Sequence, residues 1–415
     1  MAVFISSKFS KGAACQYDGV TLNYGVNAFS SVAEAYAALD GIYDAVVFAD
    51  SKVTLSAEEM AMLLNVSGIY GKAEVYKSEA GDEVYLKEFS NNIKAANTLI
   101  IKDAPANDYT KYVEHPRNNN FNKVEVTNSI AGNISKSAYY TSKVSNEDKN
   151  GMVTETTAYK ADGSVTVKNS SVGIIANYAT VNLTNASTGA IICKQSYKAE
   201  DYGYWYSDDC DSYVDTYVEG GSSDIDYTAG GTLNIVLDKN AEKDAVYNIG
   251  EGDYWYGGEE SYSYRTFGVI DGYNKVTITG LDGAKNPDNA AYIRVNGSIV
   301  GGNRDMDYYY GEYHLDMESS GTVKISNGVD VYGAVAYFNS VTIASDSHTG
   351  AIVNGDGKVA VKYKFGKEEA EDYYESQVPD VFHNRTPKRP VPSCRLLNKT
   401  VCAETCGAYR DNLPV

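Results

Sequence analysis

Arg304, Asp305 and Asp307, in GGNRDMDYYYGEYH (301–314), form the best local set for acid–base chemistry in this sequence. A cation beside paired carboxylates is what glycoside hydrolysis or lyase chemistry requires. Glu259, Glu260 and Arg265 form a second set. Both sets fall in insertions between regular phrases. Such segments hold catalytic geometry only when braced. The expectation is charged, solvated segments and a chain that is not an enzyme. His115, His314, His348 and His383 are scattered, and no metal-ligand spacing joins them. VNGDGKVAV, around Asp356, has the flavour of a calcium loop but lacks its alternating acids and closing Glu. No cofactor is expected, with calcium left open.

Binding chemistry asks for less. The stretches YGYWYSDDCDSYVDTY (202–217), GDYWYGGEESYSY (252–264) and DMDYYYGEYHLD (305–316) crowd aromatic rings among carboxylates. Flat Tyr and Trp rings stack on sugars or pack on proteins, and nearby Asp and Glu accept hydrogen bonds. The candidate contacts are Tyr204, Trp205 and Tyr206; Tyr254, Trp255 and Tyr256; and Tyr308, Tyr309 and Tyr310.

Composition narrows the partners. The 415 residues carry a formal charge of −19, which argues against nucleic acid, because phosphate binding needs Lys and Arg. The 37 tyrosines, against two tryptophans and ten phenylalanines, suggest exposed contact surface. No apolar run approaches the roughly 18 residues a spanning helix needs. The apolar stretch of the opening MAVFISSKFSKGAACQYDG is short for a secretory signal. Three of the six cysteines fall after residue 393, so the main body does not read as a disulfide scaffold. Only proximity suggests pairing Cys193 with Cys210.

Residues 378–415 form a separate region: they hold five of the eight prolines and a net positive charge. A poorly ordered tail is expected there. The rest divides into 1–115, an N-terminal cap with first rungs, and 116–377, a repetitive body.

The elements that must position the aromatic stretches come from a recurring phrase. KVEVTNSIAGNIS (123–135), SVTVKNSSVGII (164–175), ATVNLTNASTGAII (179–192), KVTITGLDGA (275–284), GTVKISNGVDVYGAV (321–335) and SVTIASDSHTGAIV (340–353) share it. Each joins a β-branched alternation, an Asn/Asp/Gly turn and a short apolar pair. Neighbouring copies are spaced 16 to 18 residues apart: Val165 to Val181, Val276 to Ile293, and Val323 to Val341 to Val359. Alternation gives one buried face per strand, and a strand this short cannot bury it alone. Stacking copies in register does so. The fold class is therefore all-β, a parallel β-helix, with a β-sandwich as the alternative. Asn128, Asn169, Asn185, Asn296 and Asn327 suit left-handed turn positions. Turn chemistry also accounts for the N-x-S/T patterns at Asn133, Asn169, Asn182, Asn185 and Asn296. The aromatic stretches lie between copies and read as loops.

VNAFSSVAEAYAALDG (26–41) predicts a helix capped by Ser30 or Ser31, with Val32, Ala35, Tyr36 and Leu39 on its apolar stripe and Gly41 ending it. YDAVVFADSKVTL (43–55) reads as one buried strand. SAEEMAMLLN (56–65) reads as a second helix, capped by Ser56, with Met60, Met62 and Leu64 as core. Helices here would cover the open edge of the first rung.

The opening DGVTLNYGVNAFSSVAEAYAALDGIYDAVVFADSKVTL and rungs such as SVTVKNSSVGIIANYATVNLTNAS resemble the passenger regions of bacterial autotransporter adhesins and AidA-like surface proteins. The resemblance runs loosely over residues 15–365. It implies a right-handed parallel β-helix displayed at the outer membrane or outside the cell. Together with the aromatic stretches, the expected function is an adhesin that binds surface glycans or proteins, with a polysaccharide-degrading β-helix enzyme or a purely structural surface-coat protein as the alternatives. The sequence departs from the family in its expected lack of a signal peptide and of a translocator barrel.

Overall fold

Valine, leucine and isoleucine at every second position organise the body. The computed structural model describes residues 1–78, 83–87, 94–104, 118–136, 140–147, 152–193, 196–204, 223–250, 268–309, 312–344, 346–353 and 360–364. The tail at 378–415 lies outside them. The protein is mostly β, in keeping with an all-β class, and its main sheet is 25-stranded.

Three parallel ladders make up that sheet. In the first, Val53, Leu99, Val124, Val165, Val181, Leu233, Val276, Val323, Val341 and Val361 succeed one another as Cα partners. Two residues further on, Leu55, Ile101, Val126, Val167, Leu183, Ile235, Ile278, Ile325, Ile343 and Tyr363 do the same. Through Ile343, every member of both columns is at most 6% exposed. Each such side chain contributes about 1.5–3 kcal/mol of burial that a lone strand would forgo.

The second ladder begins at Ile130–Ala131 and runs through Val246–Ile249 and Tyr292–Val295 into Val329–Ala336. The third takes in Ala2–Ile5, Ala45–Phe48, Ile69–Tyr70, Ile134–Ser135, Ile175–Ala176, Ile191–Ile192, Ile270–Asp271 and Ile299–Val300. Asn118–Asn119 links Ile69–Tyr70 to Ile134–Ser135. The chain visits the ladders in turn, and all three share one core.

Two of the expected spacings are corrected. Val276 pairs with Val323, while Ile293 belongs to the second ladder, against Tyr247 and Val329. Both phrases alternate alike, so spacing alone could not assign the ladder. Val341 pairs with Val361 rather than Val359. Segment 43–55 is two strands, Ala45–Phe48 in the third ladder and Lys52–Leu55 in the first. Between them, the Asp50 carboxylate accepts from Ser6 Oγ at 2.6 Å and Ser7 N at 2.9 Å, fixing the corner.

Helix α1 (Val32–Ala38) has Ser31 as its N-cap, and α2 (Ala57–Met62) has a full capping box between Ser56 and Glu59. Val32, Ala35, Met60 and Leu63 enter the core. Tyr36 is exposed and Leu64 half-buried, so each drops off its expected stripe. α1 is only seven residues long, and its contact arc is narrower than the sequence stripe.

Corners carry the polar chemistry. After the first ladder, Asn128, Asn169, Asn185 and Asn327 hold φ between 47° and 63°, whereas Asn296 is not left-handed. It lies after a second-ladder strand, where its Nδ2 donates to Asn248 Oδ1 at 3.3 Å. The first corner also stacks side chains. Asn128 donates to Asp103 at 2.8 Å and Asn169 to Asn128 at 3.2 Å. Asn185 donates to Asn169 at 3.1 Å and to Asp238 at 2.7 Å, and accepts from Asp238 N at 2.9 Å.

After the third ladder, Phe121, Tyr178, Tyr273 and Phe338 are wholly buried. Tyr178 donates to the Phe121 carbonyl and Tyr273 to the Tyr178 carbonyl, each at 2.8 Å. Burial raises both phenol pKa values, so they remain donors at neutral pH. Gly272 has φ 83°, and a Cβ there would overlap the Cys193 carbonyl. Cys193 is itself buried, while Cys210 lies outside the described residues.

The Asn185 amide holds the Asp238 carboxyl below its ordinary range. A depressed folded pKa stabilises the protein above the unfolded value, about 3.9, and the effect fades as pH falls through the folded value. Asn185→Gly keeps the left-handed backbone and removes the bonds. It is expected to cost about 1–2 kcal/mol at neutral pH. Denaturant melts should show that deficit shrinking as the pH is lowered from 5 to 2.

Candidate functional site

Three chain-distant insertions leave the body at the same corner. The chain departs after Ile134–Ser135, Ile191–Ile192 and Ile299–Val300, all third-ladder strands, and returns before first-ladder strands. The excursions supply Tyr140–Glu147 with Met152–Lys160, Ser196–Tyr204 with Ser223–Thr228, and Asn303–Tyr309 with Glu312–Glu318. These six strands form one antiparallel sheet in chain order.

This corrects the reading of 202–204, 305–309 and 312–316 as loops. In NRDMDYY and EYHLDME, Met306, Tyr308, Tyr313 and Leu315 alternate with Asp305, Asp307, His314 and Asp316. That period of two is a strand pattern. Dense Tyr and Asp obscured it, because neither is an aliphatic core residue.

Register brings distant residues into rows. Tyr159, Tyr197, Tyr227 and Arg304 succeed one another as partners, with Met317 beside Arg304. Lys198, Asp226, Asp305 and Asp316 form the next row. Glu200, Asp224, Asp307 and His314 form another, two positions along. Tyr308 pairs with Ser223 and Tyr313, and Tyr309 with Glu312. Tyr204 closes its strand opposite Met152. Trp205, Tyr206, Tyr254, Trp255, Tyr256 and Tyr310 lie outside the described residues, as do Glu259, Glu260, Arg265 and Asp356.

The body offers a second regular surface, which sequence reasoning missed. Between the buried columns of the first ladder stand Thr54, Ile100, Glu125, Thr166, Asn182, Asn234, Thr277, Lys324 and Thr342 in line, polar at every position but Ile100. Lys52, Lys102, Lys123, Lys168 and Lys275 flank that line, with Glu125 as its acid, bonded to Lys123 at 2.5 Å. Neighbouring strands repeat at about 4.8 Å. The signal was visible in KVEVT, SVTVK, KVTIT and TVKIS, whose odd positions are polar or basic.

The outward side of the third ladder is apolar instead. Val300, Ala334, Ala336 and Val353 are buried there, with Met317 from the antiparallel sheet packed against them. Among the described residues, no group of His, Cys, Asp and Glu side chains assembles a metal site, and no helix is long and apolar enough to cross a membrane. His348 Nδ1 stands 3.0 Å from the Asp330 carboxylate, and the ring stays exposed.

No known protein family, curated protein or solved structure matched the chain.

The convergence of the insertions is open to a direct check. Asp224 and Asp307 are Cα partners, whereas Asp224 and Asp305 are two positions out of register. Asp224→Cys with Asp307→Cys should form a disulfide under mild oxidation, mapped by peptide mass. Asp224→Cys with Asp305→Cys should stay reduced.

Proposed function

We propose that the body is a right-handed parallel β-helix, capped at its N-terminal end by α1 and α2. On this reading the chain is a non-catalytic, adhesin-like passenger displayed at a cell surface. Its Tyr/Asp-rich insertions make the contacts, and its partners are surface glycans or proteins. One observation carries the reading: insertions spread over residues 140–318 share a corner and a sheet. In stacked repeats, insertions on one face often make the binding face. Three interruptions that build one sheet suit a contact surface better than three independent loops. The in-register ladders and the general right-handedness of parallel crossovers support the coil, and the resemblance to autotransporter passengers adds to it. Weak contacts per ring would gain strength when many copies are displayed.

A polysaccharide-degrading β-helix enzyme is the second reading. The row that aligns Asp305 with Asp226 and Asp316 favours it, since glycoside hydrolysis needs neighbouring carboxylates.

A glycan array, run with and without calcium, separates the two. Under the first reading Trp255→Ala and Trp205→Ala each weaken binding roughly tenfold or more, while Asp305→Asn leaves it intact. Turnover of any polysaccharide, abolished by Asp305→Asn, would overturn the adhesin reading in favour of the enzyme.

A further inference from the structure

Lys136 is the last described residue before the first insertion, and Asp162 opens the strand that follows it. Lysine is almost never fully buried without a reason, yet Lys136 is only 4% exposed. Its Nζ is hydrogen-bonded to Asp162 Oδ1 and stands 3.4 Å from Asn122 Oδ1. The Tyr178 ring lies beneath it, at 5.6 Å from the ring centre. Both main chains are pinned. Lys136 N donates to the Ala176 carbonyl at 3.1 Å, and Asn177 Nδ2 donates to the Lys136 carbonyl at 3.1 Å. Asn122 N donates to Asn97 O at 2.8 Å, and Asn122 O accepts from Ser164 N at 3.0 Å.

The pocket has no slack. Gly163 has φ 73°, and a Cβ there would stand 2.8 Å from Asn122 Oδ1 and 3.1 Å from Lys136 Nζ. Asp162 is therefore next in chain to the residue that touches both partners. Its side chain is 32% exposed, so it sits at the mouth of the pocket.

We propose that Lys136 and Asn122 join in an intramolecular isopeptide bond, with Asp162 as the proton relay. The amine attacks Asn122 Cγ, and the Asp162 carboxylate takes a proton from Nζ. That proton passes to the amide nitrogen as the Cγ–N bond breaks. One C–N bond forms, one breaks, ammonia leaves through the mouth at Asp162, and nothing is oxidised or reduced. Burial supplies the nucleophile: it lowers the Lys136 ammonium to about 8, with Cys193 opposing the drop and the nearby Lys94 charge adding to it. The aromatic floor and pinned backbones hold the reactants together, as an effectively unimolecular reaction requires. The bond would tie the start of the first insertion to the rung below it. This proposal is independent of the adhesin reading.

Intact mass spectrometry of the purified full chain is the test. The expected mass lies one ammonia below that of the unlinked chain, and proteolysis should release a branched peptide joining Asn122 to Lys136. Lys136→Arg keeps the charge but cannot condense, and should restore the full mass, as should Asn122→Ala. Asp162→Asn should leave most of the chain unlinked. Full mass in the wild-type protein, with both residues in linear peptides, overturns the proposal without any variant. A branch from Lys136 to Asp162 with loss of water overturns Asn122 as the partner. Complete linkage in Asp162→Asn overturns the relay.

Discussion

A five-residue strand presents two inward side chains and cannot shield them, so every strand of the body depends on the one beneath it. The columns from Val53 to Val341 and from Leu55 to Ile343 are the result. In-register stacking buries each apolar side chain above and below as well as inward. It also pairs backbone amides and carbonyls from strand to strand along each ladder. Slipping one residue would turn a whole column outward, so β-branched alternation sets register as well as burial.

Once register is set, the corners must repeat too, and their polar groups become neighbours at strand spacing. Asn128, Asn169 and Asn185 hand hydrogen bonds along one corner because each occupies the same left-handed position. The buried tyrosines solve the matching problem at another corner, where a turn leaves carbonyls without strand partners. Tyr178 and Tyr273 fill the core with their rings and satisfy those carbonyls with their hydroxyls. An unsatisfied buried carbonyl would cost about 1–3 kcal/mol, so a tyrosine is worth more than a phenylalanine at those two positions.

Much of this was legible in the residues. Alternation in SVTVK and TVNLT, and the step from Val165 to Val181, gave true partners in the first ladder. Capping signals at Ser31, Ser56 and Glu59 gave both helix starts. The third ladder was harder to read, because its strands are often only two residues long, as at Ile175–Ala176, and a pair carries no period. Ile293 was misassigned for a related reason: alternation names a strand but not its ladder. The antiparallel sheet was hidden by composition, since a strand of Tyr, Asp and Met has the right period and the wrong residues for an aliphatic core. No local signal announces that segments as far apart as 140–147 and 312–318 belong to one sheet; only the shared corner does.

The same constraint explains where novelty collects. A stack tolerates insertions only where the chain can leave and return without breaking a ladder, which means at corners. The corner between the third and first ladders took the three that build the antiparallel sheet, as well as the earlier excursion that carries the Val75–Lys77 and Val84–Leu86 hairpin, and so had to absorb several sets of freed polar groups. Lys136, Asn122 and Asp162 stand there, as do Cys193 and Gly272. Burying a lysine at that point is costly unless its donors are met, and residues from two neighbouring turns of chain meet them. Polar chemistry in this protein is therefore concentrated where the repeat is interrupted, and the interruptions are tolerated because that chemistry closes the corner behind them.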